Sequence, residues 1–127
     1  MRTAVCPGSF DPITLGHLDL VERAAALFDQ VILCVMVNSE KRHMFSLDQR
    51  LEMARAALVH VSNARAEAYD GLLTDFAQEQ GACALIKGLR VGGDFDWEFQ
   101  LAQINRQLCP QVKPCNIPPL PTIMTII

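Results

Sequence analysis

The chain has 127 residues, half of them apolar, with a formal net charge of -3 at pH 7 and 6% aromatic residues. That length builds one domain with a real core and leaves no room for two ordinary ones. The absent basic surplus excludes general nucleic-acid binding, because nothing neutralises a phosphate backbone, whereas a nucleotide site needs only a few local cations.

In chain order, Thr3 to Cys6 reads as a short buried strand that ends at Pro7-Gly8. From Leu15 to Phe28, apolar Leu18, Val21, Ala25 and Phe28 recur at helical spacing. Val31 to Val37, "VILCVMV", is continuous and rich in β-branched residues, as a parallel strand covered on both faces requires. The polar loop "NSEKRHMF" precedes a second helix that opens at "SLDQR" and runs to about Val59, with Ser46 as N-cap and Gln49 completing a capping box. "RAEAY" is a third, weaker strand, and Leu72 to Glu79 a third helix ended by Gly81. "CALIKGL" is a fourth strand with Lys87-Gly88 at its carboxyl end. Asp94 to Leu108 is a further helix with Phe95, Phe99, Leu101, Ala102 and Ile104 as core positions.

Strand and helix alternate, which specifies an α/β fold: a Rossmann-like, doubly wound parallel sheet in a single domain, covering residues 1–110. A ligand site then lies beyond the carboxyl ends of the strands, where loops 7–17, 38–45, 69–73 and 87–94 share one rim. Residues 111–127 read as an atypical apolar tail holding four of the seven prolines and no acidic residue. Pro118, Pro119 and Pro121 exclude a helix there and confine any strand to an edge. The five cysteines, Cys6, Cys34, Cys83, Cys109 and Cys115, show neither a CxxC pair nor metal-ligand spacing and read as reduced, buried thiols. With no signal-peptide pattern and no apolar run near membrane length, a cytoplasmic protein without a membrane partner is expected.

Three loops carry candidate chemistry. In "PGSFDPITLGH", Gly8 allows close backbone approach, Ser9 adds a hydroxyl, the helix start adds positive potential and His17 adds an imidazole. On physics alone this string is either a turn with a surface histidine or a phosphate cradle. Lys41-Arg42-His43 is either a solvated charge run or an anion contact beyond a strand end. Lys87-Gly88-Leu89-Arg90 places two cations around a glycine at a strand end, which favours phosphate contact. Asp94 and Asp96 suit a helix N-terminus. Neither GxxxxGK[ST] nor a GxGxxG after the first strand is present, so a P-loop NTPase and a dinucleotide dehydrogenase are not favoured.

The opening string resembles the nucleotidyltransferase signature G-[ST]-F-D-P-x-[TH]-x-G-H, in a T-x-G-H form at Thr14 to His17. Together with "KxxMF" at 41–45 and "IKGLRVGGDFDWEFQLAQINR" at 86–106, it is similar to the bacterial phosphopantetheine adenylyltransferase family over residues 3 to 110. The resemblance implies transfer of the adenylyl group of ATP to 4′-phosphopantetheine, giving dephospho-coenzyme A and pyrophosphate with Mg²⁺ assisting. It implies ATP contacts at Ser9, Phe10, His17, Gly88, Leu89, Arg90 and Glu98, and substrate contacts at Ser9, Lys41, Leu72, Leu73, Lys87, Leu101 and Asn105. His17, Lys41 and Ser9 are its catalytic positions, and no side chain is assigned to a metal. Lys87 stands where the family commonly has arginine, keeping the charge without the bidentate fork.

The resemblance further implies a homohexamer and coenzyme A as a possible inhibitor. The family's Ser-rich I-S-S-[ST] clamp is not readable after position 110, so the sequence leads to the expectation of impaired transfer and of a sheet short of one strand. Two alternatives stay open at this point. One is a non-catalytic nucleotide- or coenzyme A-binding module, the other a related nucleotidyltransferase acting on nicotinate mononucleotide or glycerol 3-phosphate.

Overall fold

The computed structural model describes residues 1–37, 42–88 and 113–117. Eight elements follow in order: β1 (Thr3–Gly8), α1 (Leu15–Leu27), β2 (Gln30–Met36), α2 (Leu47–Ala57), β3 (Ala64–Tyr69), α3 (Leu73–Glu79), β4 (Ala84–Gly88) and β5 (Lys113–Ile117). The expected helix over 94–108 lies outside the described residues.

The strands form one parallel sheet in the order β3-β2-β1-β4-β5. Alternate residues point to opposite faces, so each strand serves two cores. Ala4, Cys6, Val31, Leu33, Val35, Ala84 and Ile86 pack with Leu20, Val21 and Ala24 of α1 and with Ala54 of α2. Val5, Ile32, Cys34 and Leu85 pack on the other face with Phe76 and Ala77 of α3. The sheet is therefore doubly wound, with α1 and α2 on one face and α3 on the other. Val5, Val31, Ile32, Leu33, Val35 and Ile86 are fully buried, and each contributes roughly 1.5–3 kcal/mol by leaving water.

Helix boundaries are set by side-chain and backbone caps. Ser46 Oγ accepts from the Gln49 N–H at 3.2 Å while the Ser46 N–H donates to Gln49 Oε1 at 3.0 Å, the capping box read from the sequence. α3 ends in a Schellman motif: the Gly81 N–H bonds Gln78 O at 3.0 Å and the Ala82 N–H bonds Ala77 O at 2.9 Å, with Gly81 at φ +67°. The last carbonyls of α1 are met from outside, where Asn63 Nδ2 donates to Ala25 O at 2.8 Å and Phe28 O at 3.2 Å.

Two expectations change. β1 does not stop before Pro7-Gly8 but runs through both, with Pro7 opposite Cys34 and Gly8 opposite Val35. Residues 113–117, read as part of a tail outside the sheet, form the parallel edge strand β5, with Pro114 opposite Leu85. An edge position tolerates a proline because one side of the strand has no ladder to feed. The sheet thus keeps the strand that the sequence reading removed.

Among the described residues Cys6, Cys34 and Cys83 form no disulfide, and the first two are buried. Burial and the nearby Glu67 charge push the Cys34 thiol up to about 12. At pH 8 iodoacetamide should leave Cys34 unmodified in the native protein and label it only after denaturation, as peptide mass spectrometry reads. Rapid native labelling would show that the β2 core opens.

Candidate active site

The sheet ladders show where a crevice opens. β1 pairs with β2 over six positions, out to Gly8, and β4 pairs with β5 over five, out to Gly88. Between β1 and β4 only Ala4–Ala84 and Val5–Leu85 pair. Beyond Val5 and Leu85 the two central strands part company toward their carboxyl ends. This is also where the winding reverses, since the chain goes from β1 outward to β3 and then returns to β4. Open parallel sheets bind ligands at such a switch point.

The loop leaving β1 borders this crevice and is held from three sides. Phe10 is buried, with φ at +48°, a left-handed conformation rare outside glycine. Its ring covers Gly8, where an added Cβ would sit 3.0 Å from Phe10 Cζ. Gly8 was expected to admit a bound group; its bare face instead admits this ring. The ring then meets His17 edge-on, with centroids 4.9 Å apart and planes at 79°.

His17 is fixed by the start of its own helix. Thr14 is the N-cap of α1 and accepts the His17 N–H on Oγ1 at 3.3 Å. In return the Thr14 N–H donates to His17 Nδ1 at 3.0 Å, with Thr14 Oγ1 3.1 Å from the same nitrogen. Histidine thus fills the place that Glu or Gln takes in an ordinary capping box. Because Nδ1 receives a main-chain N–H it carries no proton, which assigns the hydrogen of the neutral ring to Nε2. His17 is therefore built as a hydrogen-bond donor.

Asp11 ties the first loop to the second. Its carboxylate accepts the Met44 N–H at 2.5 Å and the Phe45 N–H at 2.8 Å, and it lies 3.5 Å from His43 Nδ1. Burial opposes its ionisation, but those two N–H groups, His43 and Arg50 outweigh that and hold the carboxyl below the usual aspartate value. From α2, the buried Arg50 sends Nη1 to the Ser9 carbonyl at 2.9 Å.

Of the residues marked in the sequence, Ser9, Phe10 and His17 come together at the end of β1. The half-buried Lys87 and the Gly88 backbone lie at the end of β4, on the same rim, because all strands run parallel. Beyond β3, Leu72 is exposed and Leu73 leans on the α3 core. Lys41, Leu89, Arg90, Glu98, Leu101 and Asn105 lie outside the described residues. Asp11, Thr14 and Arg50 were not marked. Thr14 sat in the motif, and Asp11 read as a turn residue. Nothing in the helical pattern set Arg50 apart.

Comparison with known proteins settles the lineage. A family model described as cytidylyltransferase-like matches residues 5–126. The chain is 52% identical over 113 residues to phosphopantetheine adenylyltransferase of Heliobacterium modesticaldum, covering 89% of this chain and 67% of that protein. It is 50% identical to the enzyme of the same name from Symbiobacterium thermophilum, covering 91% and 71%. The chain belongs to the phosphopantetheine adenylyltransferase family.

Among solved structures, the lipopolysaccharide core biosynthesis protein of Thermoplasma volcanium superposes with a TM-score of 0.65 at 22% identity, covering 92% of this chain and 96% of that one. A nicotinate-nucleotide adenylyltransferase homologue from Vibrio parahaemolyticus gives a TM-score of 0.67 at 19% identity, covering 93% and 78%. At these identities the likeness establishes the fold, which this adenylyltransferase family member shares with them.

The Asp11 latch has a pH signature. A carboxyl held below its unfolded value binds fewer protons folded than unfolded, so its contribution is complete above about pH 4 and is lost as pH falls through the lowered value. Asp11→Asn should lower the urea midpoint at pH 7, with the gap from wild type narrowing below about pH 4. A gap that is the same at pH 3 and pH 7 would remove the ionised latch.

Proposed function

We propose that this chain transfers the adenylyl group of ATP to 4′-phosphopantetheine, forming dephospho-coenzyme A and pyrophosphate at the crevice between β1 and β4. The observation that carries the reading is the Thr14–His17 cap, in which Nδ1 takes the Thr14 N–H and the ring hydrogen falls to Nε2. Membership of the phosphopantetheine adenylyltransferase family supports the same reaction.

The chemistry needs positioning rather than a general base. A phosphate monoester has its second pKa near 6 and is largely dianionic at neutral pH. One of its oxygens attacks the α-phosphorus of ATP, the bond to the pyrophosphate oxygen breaks, and pyrophosphate leaves. No covalent intermediate with the chain is required. What the protein supplies is approach of two polyanions and donors for the charge that spreads over the phosphoryl oxygens. Nε2 of His17 donates to those oxygens, and Lys41 adds a cation from the second loop. The Ser9 hydroxyl and the main chain of the first loop hold further oxygens, while Lys87 faces the phosphate of the acceptor. Gly88, Leu89, Arg90 and Glu98 complete the ATP site, and Leu72, Leu73, Leu101 and Asn105 follow the pantetheine arm.

Among the described residues no three His, Cys, Asp or Glu side chains converge as a metal cage. Mg²⁺ bound to the triphosphate would supply charge that offsets the leaving pyrophosphate, and no described side chain is assigned to hold it. The proposal extends to a homohexamer in the cytoplasm, with coenzyme A competing for the same crevice. No helix among the described residues is long and apolar enough to cross a membrane.

His17→Gln separates the two jobs of the histidine. Glutamine restores an ordinary partner for the Thr14 cap but presents no imidazole Nε2–H. Thermal stability should stay near wild type, while turnover in a pyrophosphate-release assay with ATP and 4′-phosphopantetheine falls about 100- to 1,000-fold. Turnover near wild type in His17→Gln would sink the assignment.

A further inference from the structure

Arg50 is a buried cation that makes no contact with the reacting groups of the adenylyl-transfer reading. It is 2% exposed and sits in the first turn of α2, where the helix dipole opposes positive charge. Its Nε is buried and has no hydrogen-bond partner among the described residues. The Asp11 carboxylate is its electrostatic counterpart, and its directed bond is Nη1 to the Ser9 carbonyl at 2.9 Å. A buried arginine in a helix N-terminal turn is costly, and packing alone would be served as well by an apolar side chain.

The bond to Ser9 has a geometric consequence. The Ser9–Phe10 peptide is trans, since Asp11-Pro12 is the cis bond among the described residues. In a planar trans peptide the C=O and the following N–H point in opposite directions. With the Ser9 oxygen drawn toward α2, the Phe10 N–H must face away from α2. That helix packs over β2 and β3, while β4 lies on the other side of β1. The Phe10 N–H is thereby turned away from α2 and from the β2–β3 side of β1. Among the described residues nothing accepts from it. A main-chain donor without a partner in a native loop is uncommon and marks a place for an outside acceptor.

We propose that Arg50 is a positioning residue: by holding the Ser9 carbonyl it fixes the Phe10 N–H as a donor for the anionic phosphate oxygens of the nucleotide. The left-handed Phe10 backbone belongs to the same device, because that φ is what the pinned peptide and the ring over Gly8 jointly impose. This role rests on the adenylyl-transfer reading of the crevice and adds to it a residue that never touches substrate.

The test follows backbone amides by ¹⁵N–¹H NMR as ATP alone is added to the wild-type chain, then repeats with Arg50→Met and Arg50→Lys. In wild type the Phe10 amide shifts downfield on saturation with ATP. In Arg50→Met that shift is lost although ATP still moves the Ser9 and His17 amides, and in Arg50→Lys, which keeps one donor for the Ser9 oxygen, it returns in part. Steady-state assays should show kcat reduced about 100-fold in Arg50→Met with the KM for 4′-phosphopantetheine within about threefold, and partial recovery in Arg50→Lys. A Phe10 amide that ignores ATP while Ser9 and His17 respond overturns the positioning role and leaves the crevice reading standing. If ATP moves none of the three, both fall together. If Arg50→Met does not fold, Arg50→Lys carries the comparison: a Phe10 response equal to wild type with no loss of kcat would overturn the role. Equal losses in the methionine and lysine variants would reduce Arg50 to packing.

Discussion

The separation of β1 from β4 is the constraint on which the rest of this molecule depends. Parallel strands bring all carboxyl ends to one rim, but a continuous ladder would leave that rim closed. Here the β1–β4 ladder stops at Val5 and Leu85 while the flanking ladders continue to Gly8 and Gly88. The floor of the gap stays dry, because Cys6 and Ile86 are buried against α1 and α2. A polar crevice therefore stands directly on an apolar core. Electrostatic interactions in such a place are less screened than at an open surface, which is what a reaction between two polyanions needs.

Around that gap, the first loop is over-determined. The second loop approaches it through the Met44 and Phe45 N–H groups that Asp11 accepts, and α2 through the Arg50 side chain that reaches Ser9. α1 approaches through the Thr14–His17 cap. Strained backbone at Phe10 persists because these contacts act together, and strain held in this way costs no reorganisation when the ligand arrives. Charge follows the same economy of parts. The single Asp11 carboxylate accepts two main-chain N–H groups and lies 3.5 Å from His43 Nδ1, while the buried Arg50 guanidinium favours its charged form from further off.

How much of this was legible in the sequence depends on the range of each interaction. Alternating strand and helix patterns revealed the doubly wound sheet, because each apolar run reports its own burial. The Ser46–Gln49 box was readable from four consecutive residues. The Thr14–His17 box was not, because histidine is an unusual N3 partner and reads first as a ligand. Asp11 and Arg50 were opaque for a different reason: their partners lie 33, 34 and 41 residues away, and no local pattern carries that information. β5 was hidden by the proline-rich, apolar composition after position 110, where Pro118, Pro119 and Pro121 left room for an edge strand at most. The motif thus announced the site, while the contacts that aim it came from packing.

The ring of Phe10 lying over Gly8 changes what the glycine in this motif means. Positions 8 and 10 share one volume, and the imidazole of His17 rests against its outer wall. A methyl group added at 8 would act like a shim under the ring and tilt the imidazole without touching any substrate. Variation at these two sites is consequently coupled: a larger residue at 8 is tolerable only with a smaller one at 10. A library that randomises one of them alone samples misaimed histidines, whereas one that varies the pair as a unit can tune the reach of the donor from beneath.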